Sequence, residues 1–559
     1  MGKLYNFAIN LLRFNLKLKP MRKLLIFVVS LFITGSLLAG GLVTNNNQSA
    51  MFTRLQNRNA STSIDAVYFN PAGLTKLGTG FFASVNNQTI TQTQTVSSDY
   101  PYLLPTPKKY VGNVSAPIFP GIYAVYNTGK LSFSAGFNPI GGGGGAKYKT
   151  GLPSFEMNIA DIPPSLTAQG IPTTQYSSDI YFKGSSVYFG YQANVGYKIS
   201  DKFSVAVGAR FVTATNKYNG YLKNIMINPN YPAFGAGFTG GMVLASDFFT
   251  AGAGTLNFLA TSAVTAASGL TAAITGGVPA GTPLSAMPPA TVAGITQILG
   301  AAGISAAGMN IGTAAATLNA VAPGFTANAA VMTEHAAASK DITVNASESG
   351  TGITPILSAN FSPLDNLDIA VKYEFKTELD LKTKVANNEG GGVFVDGQTI
   401  TGDMPAMLSF GVDFRPVKRL LLSASFDEYF DKGVDYDGSP TININEIDKN
   451  FVEYGLGVEY GLTEKLRVSA GWAHTETGVN LNYQSDQSFS TNTDSFGGGF
   501  GYRITPMIDV NLAGQYTFYN DGKKPYDPRL SFDLNPYTET YKKVTWMIAL
   551  GLDFYFGKK

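Results

Sequence analysis

Cysteine is absent from all 559 residues, so neither a disulfide framework nor a thiolate-held metal exists in this chain. Histidine is almost absent. His335 lies in a long apolar stretch and His474 stands beside Trp472, so neither has an evident serine and carboxylate partner for hydrolytic work. Ala473-His474-Thr475-Glu476 also lacks metal-ligand spacing, so no catalytic residue, metal or cofactor is expected. Charge is scarce and balanced, with 40 lysines and arginines against 38 aspartates and glutamates, which removes the basic excess that nucleic acid would require. Long apolar runs are missing beyond the N-terminal stretch. A chain of this kind crosses a membrane only as a closed barrel, the other structure that satisfies its own backbone hydrogen bonds.

The one apolar run, Leu24 to Ala39, follows Met21-Arg22-Lys23 and precedes Gly40-Gly41, the order of an export signal. It is shorter than the about 20 residues of a spanning helix. Residues 1–41 are therefore expected to be a signal peptide, with translation starting at Met1 or at Met21, which gives the more ordinary signal.

What the chain has in quantity is glycine (62), tyrosine (29) and phenylalanine (37), arranged with a period of two from Phe81 onward. The last segment is the clearest: Val544, Trp546, Ile548, Leu550, Leu552, Phe554 and Phe556 share one face, and Thr545, Met547, Ala549, Gly551 and Asp553 the other. Six tight polar turns, at 127–130, 200–202, 364–366, 417–419, 463–465 and 505–507, make six hairpins. One strand before them (Phe81 to about Thr95) and one after bring the count to fourteen. Short turns and both chain ends then lie on the periplasmic side. The expected fold is an all-β membrane protein: a 14-stranded antiparallel transmembrane β-barrel over 81–559, with an N-terminal hatch and a large, partly helical extracellular loop. Parity places Leu367, Ile369, Val371, Tyr373 and Phe375 outward and Asp368, Lys372, Glu374 and Lys376 inward, so the lumen is polar and charged. Tyr197, Tyr373, Tyr460, Trp472 and Tyr502 fall near strand ends, where interfacial girdles sit.

Residues 42–80 hold no strand pattern and end in Phe69-Asn70-Pro71-Ala72-Gly73-Leu74. With this segment ahead of fourteen strands, with Met404-Pro405-Ala406 leading to Ser409-Phe410-Gly411, and with Gly455-Leu456-Gly457-Val458-Glu459-Tyr460, the chain resembles the FadL family of outer-membrane transporters. That family also includes carriers of aromatic hydrocarbons. The resemblance implies that 42–80 is a hatch in the lumen, with Asn70, Pro71 and Ala72 as its Asn-Pro-Ala motif. It departs from the family at Gln48 to Ser63, which lacks the glycine-rich start of many members.

The third strand, from Leu131, meets Asn138-Pro139-Ile140 and five glycines, Gly141 to Gly145, after about eight residues, fewer than the about 9–11 that span. Proline removes a ladder donor and glycine favours a bend. Either the wall is interrupted at Asn138, Pro139, Gly141 and Gly142, which the resemblance would make a side window for ligand, or Pro139 starts an extracellular loop.

From Asn224 to Ser339 the chain turns to alanine, glycine, threonine and proline, with Asp247 and Glu334 the only charges. Disordered loops are usually charge-rich, so a compact apolar cap is expected here, with short helices at 256–274 and 290–302 broken by Gly276-Gly277 and Pro288-Pro289. It lies at the extracellular mouth by the turn count, as a surface for capturing ligand or for contact between cells or copies. A fatty acid also needs its carboxylate matched. By the resemblance Lys449 corresponds to a lysine near the ligand head group; by parity Arg210 and Lys372 face inward.

The resemblance implies outer-membrane transport of small hydrophobic molecules, long-chain fatty acids first, with aromatic hydrocarbons or alkanes as the alternative cargo and a general porin or a surface adhesin as rival functions. The expected partners are a hydrophobic ligand, outer-membrane lipid and the barrel assembly machinery during biogenesis, with the protein acting as a monomer.

Overall fold

The computed structural model describes residues 49–390, 392, 394–434, 444–527 and 535–557. The expected signal segment, with both candidate starts, and residues 42–48 of the expected hatch lie outside the described residues.

The period-two segments become fourteen antiparallel strands that pair in sequence order and close on themselves. The first five are β1 (Gly80–Ser98), β2 (Lys108–Asn127), β3 (Leu131–Tyr148), β4 (Tyr176–Ser200) and β5 (Phe203–Ile227), followed after an insertion by β6 (Ile342–Leu364). Next come β7 (Leu367–Glu374, resuming at Asp380–Gly390), β8 (Thr399–Thr401, resuming at Met407–Val417), β9 (Leu420–Tyr429) and β10 (Phe451–Gly461). The last four are β11 (Leu466–Glu476), β12 (Thr493–Thr505), β13 (Ile508–Tyr519, resuming at Gly522–Tyr526) and β14 (Tyr537–Tyr555). β14 closes on β1 along a ladder running from Phe82 opposite Tyr555 to Ser98 opposite Glu539. Closure removes the sheet edges that lipid could not solvate.

Burial follows the alternation read from the sequence. In β14, Trp546, Ile548 and Leu550 are 43%, 52% and 49% exposed, whereas Met547 and Ala549 between them are 2% and 0% exposed. An apolar face turned outward in water would be an error of patterning; turned toward lipid it is the outer surface of an outer-membrane barrel. The six tight turns all join strands at one end, and β1 begins and β14 ends there.

The chain divides into two compact units. Of the described residues, the barrel unit takes in 49–156, Ile180–Tyr221 and those from Ile342 onward; the other unit contains Met157–Asp179 and Leu222–Asp341. The β3–β4 connection carries helices α3 (Pro153–Ala160) and α4 (Ile162–Ala168), after α1 (Ala50–Leu55) and α2 (Ala66–Phe69) of the N-terminal segment. The insertion between β5 and β6 forms α5 (Ala245–Thr275), α6 (Pro289–Ala301) and α7 (Ile311–Ala338). The first is longer than expected, beginning at Ala245; α6 lies where a short helix is expected, and α7 is a helix that the sequence pattern did not show. Alanine is the best helix former, and the helices show little amphipathic contrast because even their solvent faces are nearly uncharged. Threonine is accommodated by bonding its hydroxyl to the carbonyl four residues back, as at Thr261, Thr265, Thr317 and Thr333. A seam of Ala260, Ala263 and Ala267 on α5 with Ala314, Leu318 and Ala322 on α7 belongs to one buried cluster.

Candidate functional site

Residues 49–74 are almost all buried, and their polar groups are matched to the inner face of the barrel. Ser49 caps α1 by accepting from the Phe52 amide at 3.0 Å. Arg58 and Asp65 form a two-pronged pair at 2.8 and 2.9 Å, and Asp65 also accepts from Ser61 at 2.7 Å and Ser49 at 3.0 Å. Burial opposes ionisation of Asp65, but the Arg58 guanidinium and the two hydroxyls outweigh it and hold the carboxyl below the usual carboxylate range. Arg54 reaches the wall, pairing with Glu459 of β10 and donating to Ser469 at 2.8 Å.

The expected motif residues hold the far end of this hatch. Asn70 donates to Asn360 of β6 at 2.8 Å and to the Ser61 carbonyl at 3.1 Å. Pro71 opens a 3₁₀ turn, where its missing N–H costs nothing. The Ala72 amide donates to Ser358 at 3.0 Å, and its carbonyl accepts from Ser204 of β5 at 2.8 Å.

Backbone comes close to backbone on the opposite wall, and glycine makes this possible. A Cβ on Gly471 would lie 2.0 Å from the Leu55 carbonyl oxygen, one on Gly497 2.1 Å from that of Thr53, and one on Gly455 2.5 Å from that of Gln56. Gly457 and Gly411 are as tight, against Leu55 and Ala60. All five occupy inward positions on β8 and β10–β12, so the wall carries a glycine seat for the hatch. The sequence shows the signal, glycines at inward parity including Gly497, but without the hatch position they read only as β-sheet glycines.

β3 does not end at Pro139. It pairs with β2 from Ser132 to Phe137 and again at Lys147 and Tyr148, but between these points Asn138 to Ala146 form no ladder with Val114 to Gly121. Nine residues there face eight. On its other side β3 stays on β4 through two irregularities, between Pro139 and Gly141 and between Gly141 and Gly144. The expected strand end is therefore a departure from β2 alone. Pro139 cannot donate, and Gly142 has φ of +89° with Ser186 O only 2.3 Å from where a Cβ would sit, so a side chain there is doubly excluded. On β2, Pro117 accepts from side chains of β1 instead, Asn87 at 3.3 Å and Thr89 at 3.0 Å. Ile140 at the break is buried in the same apolar cluster as Val67, Tyr68 and Phe69 of the hatch and Tyr188, Val212 and Leu379 of the wall.

Arg210 and Lys372 meet in this region and share one counter-ion. Arg210 holds Glu374 with two bonds of 2.6 and 2.9 Å and Gln192 with two more; Lys372 reaches Glu374 at 2.7 Å and the Tyr68 carbonyl at 3.1 Å. The guanidinium carbon and the ammonium lie 4.7 and 4.8 Å from the Tyr68 ring centroid. Two cations, one carboxylate and a ring face thus tie the wall to the hatch. Arg210 on β5 reaches past β6 to Glu374 on β7, a link that parity alone does not reveal. Lys449 is elsewhere: it precedes β10, is exposed, and does not join the lumenal cluster.

Farther from the tight turns lies a second apolar cluster, dominated by Tyr110, Tyr148, Phe182, Tyr218, Phe489 and Tyr541. Of the two histidines, His474 bonds Asp494 at 2.9 Å, and His335 packs 5.2 Å from the Phe249 ring.

No protein-family model matches the chain, and no curated protein matches it in sequence. Among solved structures it is similar to a Pseudomonas aeruginosa FadL homologue, at 12% identity and a TM-score of 0.53, covering 92% of this chain and 100% of that one. It also aligns with the toluene transporters TbuX of Ralstonia pickettii (15% identity, 88% and 94% covered, TM-score 0.43) and TodX of Pseudomonas putida (13%, 89% and 95%, 0.44). At these identities the likeness to the FadL homologue establishes a common fold, and nothing further rests on the two lower scores.

Proposed function

We propose that this barrel carries small hydrophobic molecules across the outer membrane, with long-chain fatty acids as the principal cargo, and releases them sideways between β2 and β3. The observation that carries the reading is the interruption of the β2–β3 ladder beside a plugged lumen. The hatch, bonded to β4, β5, β6 and β10, stands in the way of a straight aqueous path, which a general porin would keep open. An apolar molecule in the lumen gains about 0.8 kcal/mol for each methylene it moves from water into lipid, so a side route into the bilayer is downhill. The insertion at 224–339, with Asp247 and Glu334 its only charges, offers a nearly uncharged surface suited to an apolar ligand. Uptake of monoaromatic hydrocarbons is the second reading, favoured by the aromatic cluster around Tyr148 and Tyr541.

The test is to restore the ladder: remove Gly145, making eight residues face eight, and introduce Pro139→Val, whose amide can donate. Cells carrying this variant should take up oleate and toluene at least about tenfold more slowly, while the purified barrel still binds them. Unchanged uptake by a folded variant would sink the lateral route.

A further inference from the structure

Cations on the inner face of the barrel are nearly all matched. Arg210 and Lys372 share Glu374, Arg467 and Arg503 share Asp509, and Lys376 has Asp403. Lys543 of β14 has no carboxylate within ion-pair distance among the described residues. It shares the inward face with Tyr541 and Thr545, whereas its neighbour Lys542 is turned outward and pairs with Asp521 at 2.5 Å. Among the described residues the Lys543 ammonium donates once, to the Phe489 carbonyl at 2.5 Å, and it lies 4.2 Å from the Phe489 ring centroid. An ammonium has three hydrogens to donate, so two remain for a ligand.

The polar groups around it are neutral. Gln94 stands opposite Lys543 in the β1–β14 register. A relay follows in which Tyr148 donates to Gln94 at 2.9 Å, Gln94 to Gln92 at 2.7 Å, and Gln92 to Thr545 at 2.9 Å. The next carboxylate on this face, Glu539, is four residues away along the strand, about 13 Å. It is occupied by the hydroxyls of Tyr541 at 2.6 Å and Tyr526 at 3.2 Å. Lys524, near the end of β13, donates to two loop carbonyls, of Asn482 and Gln484. Among the described residues Lys543 combines an unmatched charge with an apolar neighbourhood, since Phe489 and Tyr541, its contact and its strand neighbour, belong to the aromatic cluster.

We propose that Lys543 binds the carboxylate of a long-chain carboxylic acid whose hydrocarbon tail lies along that aromatic cluster. This rests on the transport reading above and narrows it: Lys543, in place of Lys449, Arg210 or Lys372, distinguishes an acid from a neutral hydrocarbon. In so apolar a surrounding a charge-assisted contact is strong, so its removal should show in affinity.

The experiment measures binding of oleate and of oleyl alcohol to the purified full-length barrel by calorimetry in detergent, for wild type, K543M and K543R. K543M should weaken oleate at least about tenfold, K543R should stay within about threefold, and oleyl alcohol should bind all three alike. If K543M does not fold, K543Q replaces it with the same expected split. Oleate bound equally by wild type and K543M, with oleyl alcohol also bound, overturns the head-group assignment and leaves the transport reading standing. Equal weakening of oleate and oleyl alcohol also overturns it, by showing a packing role. Binding of neither ligand to wild type removes the transport reading and this assignment together.

Discussion

Glu374 is the single anion between two buried cations, and its neutralisation has a consequence that can be worked from the contacts. In the wild type, Arg210, Lys372 and Glu374 sum to one positive charge on the Tyr68 ring face. Glu374→Gln keeps the size but leaves two positive charges facing each other without their bonded counter-ion. Removing one partner of a buried pair costs about 3–5 kcal/mol, because the remaining charge is left unmatched in a poorly solvated place. Lys372→Met removes a charge from the same trio and leaves it neutral, so it should cost less, and the double variant returns to a single positive charge and should recover part of the loss. A coupling energy of about 0.5–3 kcal/mol is the usual range for residues in one such network. Because the cluster bonds Tyr68 and Val67 of the hatch through Lys372 and Gln192, the damage should appear as a loosened plug. Urea titration of the folded barrel gives the stability, and single-channel recording gives the plug: Glu374→Gln should show brief openings absent in wild type. If Glu374→Gln is as stable as wild type, or if adding Lys372→Met makes it worse, then the trio does not hold the hatch in the way its distances imply.

Two further expectations follow from other parts of the chain. Gly497→Val places a side chain where the Thr53 carbonyl is 2.1 Å from the first added atom, so the hatch must shift at about 1–3 kcal/mol while the strand itself gains β-propensity. Conductance should rise in a barrel that still migrates as folded on unheated gels, and a silent channel would refute the glycine seat. His335, buried against Phe249 in α7, has its imidazole pushed down to about 4 by burial, so it is neutral in the fold, whereas the unfolded chain takes up its proton near 6.5. Stability from this group is therefore present above about pH 6.5 and lost as pH falls through about 4, by about 3 kcal/mol in full. The helical melt of wild type should lose ground between pH 7 and 4 relative to His335→Phe, and parallel pH profiles would reject the burial argument.

The barrel was legible because lipid enforces a rule that sequence records residue by residue: outward positions that meet lipid must be apolar, and the period of two then fixes register, face and strand count together. Trp546, Ile548 and Leu550 could be placed outward and Arg210 and Lys372 inward without any tertiary information. The inside obeys no such rule. Its polar residues are chosen to fit a hatch that comes from the far end of the chain, and each choice makes sense only once both partners are placed. Asn70 needs Asn360, Arg54 needs Glu459, and the glycines at 455, 471 and 497 need the carbonyls of Gln56, Leu55 and Thr53. The break in β3 stood between these cases. Proline and glycine marked the place, but they mark a strand end and a departure from one neighbour equally well, and the distinction lies in whether β4 continues to hold the strand. The same reasoning explains why Arg210 and Lys372 read as ligand contacts and Lys543 did not. Parity reports which cations face inward, yet what leaves a cation available to a ligand is the lack of a carboxylate across the lumen, and that depends on side chains of strands and loops remote in sequence. Phe489, whose carbonyl accepts from Lys543, reaches it from the loop between β11 and β12, and no periodicity within β14 could have announced that contact.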